Sequence, residues 1–200
     1  MKRIIKIFRI LFILFSVIFL IAYFSLINAW KYDFTENELQ TYFSEIKKSE
    51  NLPDLFYKYY DLDNNNSLET KTGEYLFKSI FASEISRRPL SFWLARQMYI
   101  PKMKNRTFIN RIRIELSLAM KIEKETSQKE QFNYTLSTVD FVNNQIGVKN
   151  ASKFYFGKEI AELNENEIAS LIIMIRNPAL YNPKRRPEKL KAEVEKLLKK

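Results

Sequence analysis

The chain has 200 residues, no histidine, no cysteine and a formal net charge of +10. The two zeros exclude a disulfide scaffold, thiolate chemistry, the usual general base and the commonest zinc ligand, so any catalysis must rest on carboxylates, lysines or tyrosines. The positive charge favours an anionic partner, with a plain solvated basic surface as the alternative.

Lys2, Arg3, Lys6 and Arg9 precede an uncharged run from Ile10 to Trp30 rich in Leu, Ile, Phe and Val. A bilayer core of ~30 Å takes ~20 apolar residues as a helix, which this run supplies. The rival is a cleaved signal peptide, whose apolar core is only ~7–15 residues long. Ile27-Asn28-Ala29 is a poor small-x-small cleavage site, so the run reads as an uncleaved, single-pass anchor. The cations before it, against Lys31, Asp33, Glu36 and Glu38 after it, put the N-terminus in the cytoplasm by the positive-inside rule. Residues 1–30 are then basic flank and anchor in the cytoplasmic membrane, and 31–200 one domain outside it. Beside a membrane, anionic lipid or a phosphorylated lipid-linked substrate is a more economical partner than nucleic acid.

With glycine only at 73, 147 and 157, a strand-rich fold with many tight turns is disfavoured. Helical periods dominate instead. Phe34 to Ile46 reads as an amphipathic helix leaving the membrane, and Tyr75 to Ile85 and Ser91 to Tyr99 as two short helices. From Phe108 to Glu125 the apolar Ile109, Ile112, Leu116, Ala119 and Met120 share a face. Gln131 to Phe141 is helical with a less clean face. "DLDNNNSLE" from Asp61 has carboxamide and carboxylate spacing like a calcium loop, but Asn66 stands where the sharp turn needs glycine and Thr72 where a bidentate glutamate belongs. It reads as an asparagine-rich turn.

The segment "FYFGKEIAELNENEIASLIIMIRNPALYNP", 154–183, carries the sharpest signals. Asn164 caps a helix, with Glu167 reaching back in a capping box and Leu163 and Ile168 at hydrophobic-staple spacing. Ile168, Leu171, Ile172 and Ile175 form the apolar stripe, and Asn177-Pro178 ends it.

From Ala151 to Pro187, "ASKFYFGKEIAELNENEIASLIIMIRNPALYNPKRRP" resembles the C-terminal half of the peptidoglycan glycosyltransferase domain, glycosyltransferase family 51. The "YFGK", the "EL", the glutamate before the apolar helix and the "P-x-x-YNP" exit all match without a gap. The resemblance implies a mainly α, lysozyme-like domain on an N-terminal transmembrane helix, close to a monofunctional member. It implies lipid II or another undecaprenyl-linked glycan as ligand, and the membrane and other cell-wall synthesis proteins as partners. It allows a divalent ion such as magnesium at the diphosphate and implies no other cofactor.

Upstream the resemblance is looser. In the family one glutamate removes a proton from the acceptor hydroxyl while undecaprenyl diphosphate leaves, and a second glutamate with basic residues assists at the diphosphate. The first opens an E-D-x-x-F-x-x-H-x-G motif, best registered on "LPDLFYKYYDLD" from Leu52. Leu52 then replaces the glutamate and Tyr59 the histidine, leaving Glu50 or Asp54, each two residues away, as stand-in bases. The G-x-S-T-I-T-Q-Q block falls on "SRRPLSFWLARQMYI" from Ser86, with Phe92 and Trp93 in the glutamine places. The R-K-x-x-E block is "RIRIE", which gives Glu115 the second glutamate's role and Arg111, with Arg113, the diphosphate. An ordinary intrahelical Arg111–Glu115 pair, worth ~0.3–0.5 kcal/mol, is the structural alternative. The two remaining blocks keep little beyond apolar spacing.

Phe92, Trp93, Arg96 and Tyr99, with Arg87, Arg88 and Lys102 interleaved, also fit an interfacial helix beside the membrane. A leucine cannot accept a proton, so the chain reads either as a divergent glycosyltransferase with a relocated base or as a pseudoenzyme. The latter would be a non-catalytic scaffold or binder of lipid-linked glycan.

Overall fold

The computed structural model describes residues 2–82, 88–103 and 107–200. Arg87, Ser86 and the expected end of a helix at Ile85 lie outside them. The described residues are mainly helical, and among them the one strand-like feature is an isolated bridge between Asp140 and Ile146.

Helix α1, Lys2–Ile27, is exposed on all sides, and Arg3–Ile27 is long and apolar enough to cross a membrane. A short turn at Ala29–Tyr32 leads to α2, Glu36–Lys47, which starts at a capping box of Thr35 and Glu38. Helix α3, Asp54–Asn64, stops where Asn65 and Asn66 turn left-handed, at φ 52° and 57°. Here the Asp61 carboxylate accepts the Leu68 N–H at 2.9 Å across the asparagine-rich turn. Helix α4 is Thr72–Phe81 and α5 is Leu90–Tyr99, followed by a turn at Ile100–Lys102.

Helix α6 runs over Phe108–Glu125 as expected, but the expected face is not the buried one: Ile114, Ser117, Leu118, Ala119 and Ile122 face the core, Ile109 and Ile112 are exposed, and Leu116 and Met120 are half-buried. Helix α7 begins earlier than its face suggests, at Gln128, because Ser127 and Glu130 form a capping box; it ends at Thr138. Helix α8, Val148–Phe156, ends on the left-handed Gly157. Helix α9 is Glu165–Arg176, with the expected Asn164–Glu167 box, and α10 is Pro187–Leu198.

Two cores result. One joins α3, α7, α8, α9 and α10 around Phe56, Phe132, Leu136 and Ile172. The other joins the turn at Ala29–Tyr32 with α2, α5 and α6 around Phe43, Leu94, Tyr99 and Ile122. Both are built by helical stripes whose apolar burial supplies most of the favourable free energy.

Polar bonds fix the elements that frame the space between the cores. The Ser117 hydroxyl donates to the Ile27 carbonyl at 2.9 Å and accepts the Trp30 N–H at 3.1 Å, tying the end of α1 to α6. The Glu123 carboxylate accepts the Ser91 hydroxyl at 2.7 Å and both the Thr72 hydroxyl and N–H, setting the starts of α4 and α5 on α6.

The "YFGK…YNP" segment also acquires a purpose. The Tyr155 hydroxyl donates to the Phe141 carbonyl at 2.8 Å and accepts from the side-chain amides of Asn143 and of fully buried Asn182. Lys158 pairs with Glu167 at 2.7 Å. The segment is a brace that holds the α7–α8 connection and the exit of α9 together.

Candidate active-site cleft

Between the two cores lies a cleft of about 1060 Å³. Helix α5 gives it Phe92, Trp93 and Arg96, α6 gives Glu115, α7 gives Tyr134 and Thr138, and α9 gives Ile175 and Arg176; Arg88 and Asp140 complete it from connecting segments. Glu115 is half-buried. Burial pushes its carboxyl above the ordinary carboxylate value, while the charges of Arg96 and Arg88 pull the other way without cancelling the rise.

Arg88 and Arg96 are the cations whose charge acts on Glu115, in a cleft that also holds Arg176 and the carboxylates Asp63 and Asp140 among apolar and aromatic side chains. Guanidinium groups bind phosphate oxygens through paired, charge-assisted hydrogen bonds. Among the described residues no three acidic side chains gather as a cation site, and the charges facing Glu115 are positive.

The sequence-derived residues divide accordingly. Glu115, Phe92, Trp93 and Arg96 are brought together in the cleft. Arg111 and Arg113 stand outside its lining; Arg111 is exposed, and the Arg113 guanidinium lies 5.3 Å from the Tyr32 ring centre. Glu50 is exposed and paired with Lys149, and Asp54 sits exposed in the first turn of α3. Neither lines the cleft.

Leu52 packs against the first core, its N–H donating to the Tyr57 hydroxyl at 3.1 Å. Tyr99 corrects the interfacial expectation. It is fully buried against Phe34, because residues 92, 95 and 99 form the core-facing stripe of α5, whereas Trp93, Arg96 and Gln97 point outward. Phe92 is also buried, at 8% exposure, yet reaches the cleft wall.

Sequence reasoning missed Arg88 as a cleft cation and Asp140 altogether. It also missed the Arg176–Asp63 pair, in which the Arg176 Nε–H meets an Asp63 carboxylate oxygen at 2.7 Å and a second nitrogen pairs with Glu193 at 2.9 Å. An exposed loop aspartate carries no periodic signal. Arg88 had a visible charge, but only the fold shows that it turns toward Glu115.

The transglycosylase family's sequence model matches residues 90–200, more than half of the chain. The chain belongs to that family, glycosyltransferase family 51.

Penicillin-binding protein 4 of Bacillus subtilis is 32% identical over 106 residues, covering 53% of this chain and 16% of that protein. Penicillin-binding protein 1A of Aquifex aeolicus is 33% identical over 96 residues, 48% of this chain and 13% of its own length. A biosynthetic peptidoglycan transglycosylase of Haemophilus influenzae is 34% identical over 68 residues, 34% of this chain and 28% of its own length. The chain thus aligns with well under a third of each of these curated relatives.

Proposed function

We propose that this chain is a divergent, membrane-anchored peptidoglycan glycosyltransferase whose cleft receives the diphosphate-linked glycan of lipid II. The observation that carries the reading is the meeting of Arg88, Arg96 and Glu115 in one cleft. A diphosphate settles between the two guanidiniums, and the apolar wall at Leu90, Phe92, Trp93 and Met98 suits the polyprenyl chain beside it. The Haemophilus relative, a biosynthetic peptidoglycan transglycosylase, agrees with that substrate class.

In this reading α1 is the anchor, its N-terminus is cytoplasmic, and residues 31–200 form one domain outside the membrane. The apolar side chains of Phe77, Ile80 and Phe81 on α4, and Phe108, Ile109 and Ile112 at the start of α6, are exposed. Contiguous exposed apolar surface marks contact with protein or membrane. With α1 tied to α6 through Ser117, these residues rest in the lipid headgroup and upper acyl region.

A second reading, a non-catalytic binder of lipid-linked glycan or a scaffold, is favoured by one observation. Leu52, in the register of the first glutamate, is packed on the core and offers no proton acceptor.

The first experiment measures binding of undecaprenyl diphosphate and of labelled lipid II to the full-length protein in detergent. Undecaprenol, which lacks the diphosphate, is the control. Arg88→Ala and Arg96→Ala each remove charge-assisted hydrogen bonds worth about 1.5–3 kcal/mol, so each is expected to weaken diphosphate binding by roughly tenfold or more. Equal binding by wild type and both variants, or equal binding of undecaprenol, overturns the reading.

A further inference from the structure

We infer that Asp140 is the proton acceptor of this protein, replacing the base that the Leu52 register lacks. The inference rests on the reading that the cleft holds a lipid-linked diphosphate glycan.

Three carboxylates line the cleft: Asp63, Glu115 and Asp140. Asp63 is buried and committed to Arg176. Glu115 faces Arg96 and Arg88, which makes it part of the diphosphate end. Asp140 is solvent-exposed and follows the end of α7. One of its oxygens, Oδ1, accepts the Val142 N–H at 2.8 Å, and the other is left for a substrate hydroxyl. Tyr134 and Thr138 line the same cleft.

The connection that carries Asp140 is held in a costly shape. Val142, Asn143 and Asn144 take φ values of 60°, 54° and 61° in succession. Such a backbone in a β-branched residue is unfavourable and persists only where the surroundings impose it. They do so here. The Tyr155 hydroxyl holds the Phe141 carbonyl and the Asn143 amide, and Gly147 passes so close to the chain that a Cβ would lie 2.6 Å from the Ser137 carbonyl oxygen. Asp140 is thus aimed by a braced segment.

In the transfer step the Asp140 carboxylate takes the proton of the acceptor sugar's hydroxyl. The oxygen's electron pair forms the new bond to the donor's anomeric carbon, and the bond from that carbon to the diphosphate oxygen breaks. The pair leaves with the polyprenyl diphosphate, whose charge Arg88 and Arg96 take up, and the proton on Asp140 passes to water. The products are the lengthened glycan and the free polyprenyl diphosphate.

The test compares wild type, Asp140→Asn and Asp140→Glu as full-length proteins in detergent, reading lipid II binding and glycan polymerisation separately. Asparagine keeps the Oδ1 that accepts the Val142 N–H, so the loop is retained, which circular dichroism and thermal melting check. A positioned base contributes about 10²–10⁴-fold. Asp140→Asn is expected to lose roughly that much in kcat with lipid II binding within twofold, and Asp140→Glu to recover part of it. Full turnover by Asp140→Asn overturns the assignment. So does loss of turnover in Glu50→Gln or Asp54→Asn while Asp140→Asn stays active. Wild-type protein that binds lipid II and makes no product also overturns it, leaving the binding reading intact; absence of binding removes both.

Discussion

Glu115 shows how much a single side chain can report. Its carboxyl is raised from the ordinary 4.5 because burial outweighs the pull of Arg96 and Arg88. A diphosphate would compete for both guanidiniums and drive it higher still. In the free protein, a raised folded-state value means that protonated Glu115 contributes stability in full below pH 4.5, and that this contribution is lost as the pH climbs through the raised value. Glu115→Gln stays neutral throughout. Its melting temperature relative to wild type is therefore expected to rise as the pH is taken from about 4 to about 7; a difference that shrinks over that range contradicts the burial account. Of the residues around it, Arg96 was legible as a cation on a helix, whereas its partnership with Glu115 needed the packing of α5 on α6. Tyr99 misled because an aromatic beside cations fits an interface and a core equally well. Only its place on the buried stripe decides between them.

Among the elements, α6 and α9 were readable nearly to the residue. The bounds of α6 follow from its long apolar pattern, although the buried face is that of Ile114, Leu118 and Ile122 and not that of Ile109 and Ile112, while α9 has a capping box, a staple and an Asn-Pro stop. Helix α3 was not readable as a helix, because "DLFYKYYDLDN" spreads aromatics round its circumference, and four of them, Phe56, Tyr57, Tyr59 and Tyr60, are buried. The α7–α8 connection was equally silent. Its shape depends on Tyr155, 14 residues beyond the Phe141 carbonyl it holds, and on Asn182, which lies 27 residues beyond Tyr155 and bonds to it. That connection carries the next expected outcome. Val142 at φ 60° pays a steric penalty of about 1–3 kcal/mol, while glycine there would lose about 0.5–1 kcal/mol of chain entropy. Val142→Gly is therefore expected to stabilise the fold by roughly 1 kcal/mol, read as a higher denaturant midpoint. A lower midpoint would mean that the valine side chain's packing outweighs its backbone strain.

For the whole molecule, charge and the anchor must agree on one orientation. Lys2, Arg3, Lys6 and Arg9 sit at one end of the apolar helix, and the domain with its cleft sits at the other. The exposed Phe108, Ile109 and Ile112 extend from the same helix, α6, that holds the end of α1 through Ser117. In the proposed arrangement the domain lies on the bilayer surface with its cleft within reach of a lipid-borne substrate, and the positive flank stays on the cytoplasmic side. The absence of native cysteine makes the arrangement testable with single substitutions on an otherwise silent background. Lys6→Cys and Lys200→Cys are placed one at a time in the full chain, and spheroplasts are treated with a membrane-impermeant maleimide before and after permeabilisation. Lys200→Cys should react in intact spheroplasts and Lys6→Cys only once the membrane is opened. The reverse pattern would put the cleft on the cytoplasmic side, and reaction of both in intact spheroplasts would mean that α1 does not span the membrane. Either result would remove the anchored, outward-facing arrangement on which access to lipid II depends.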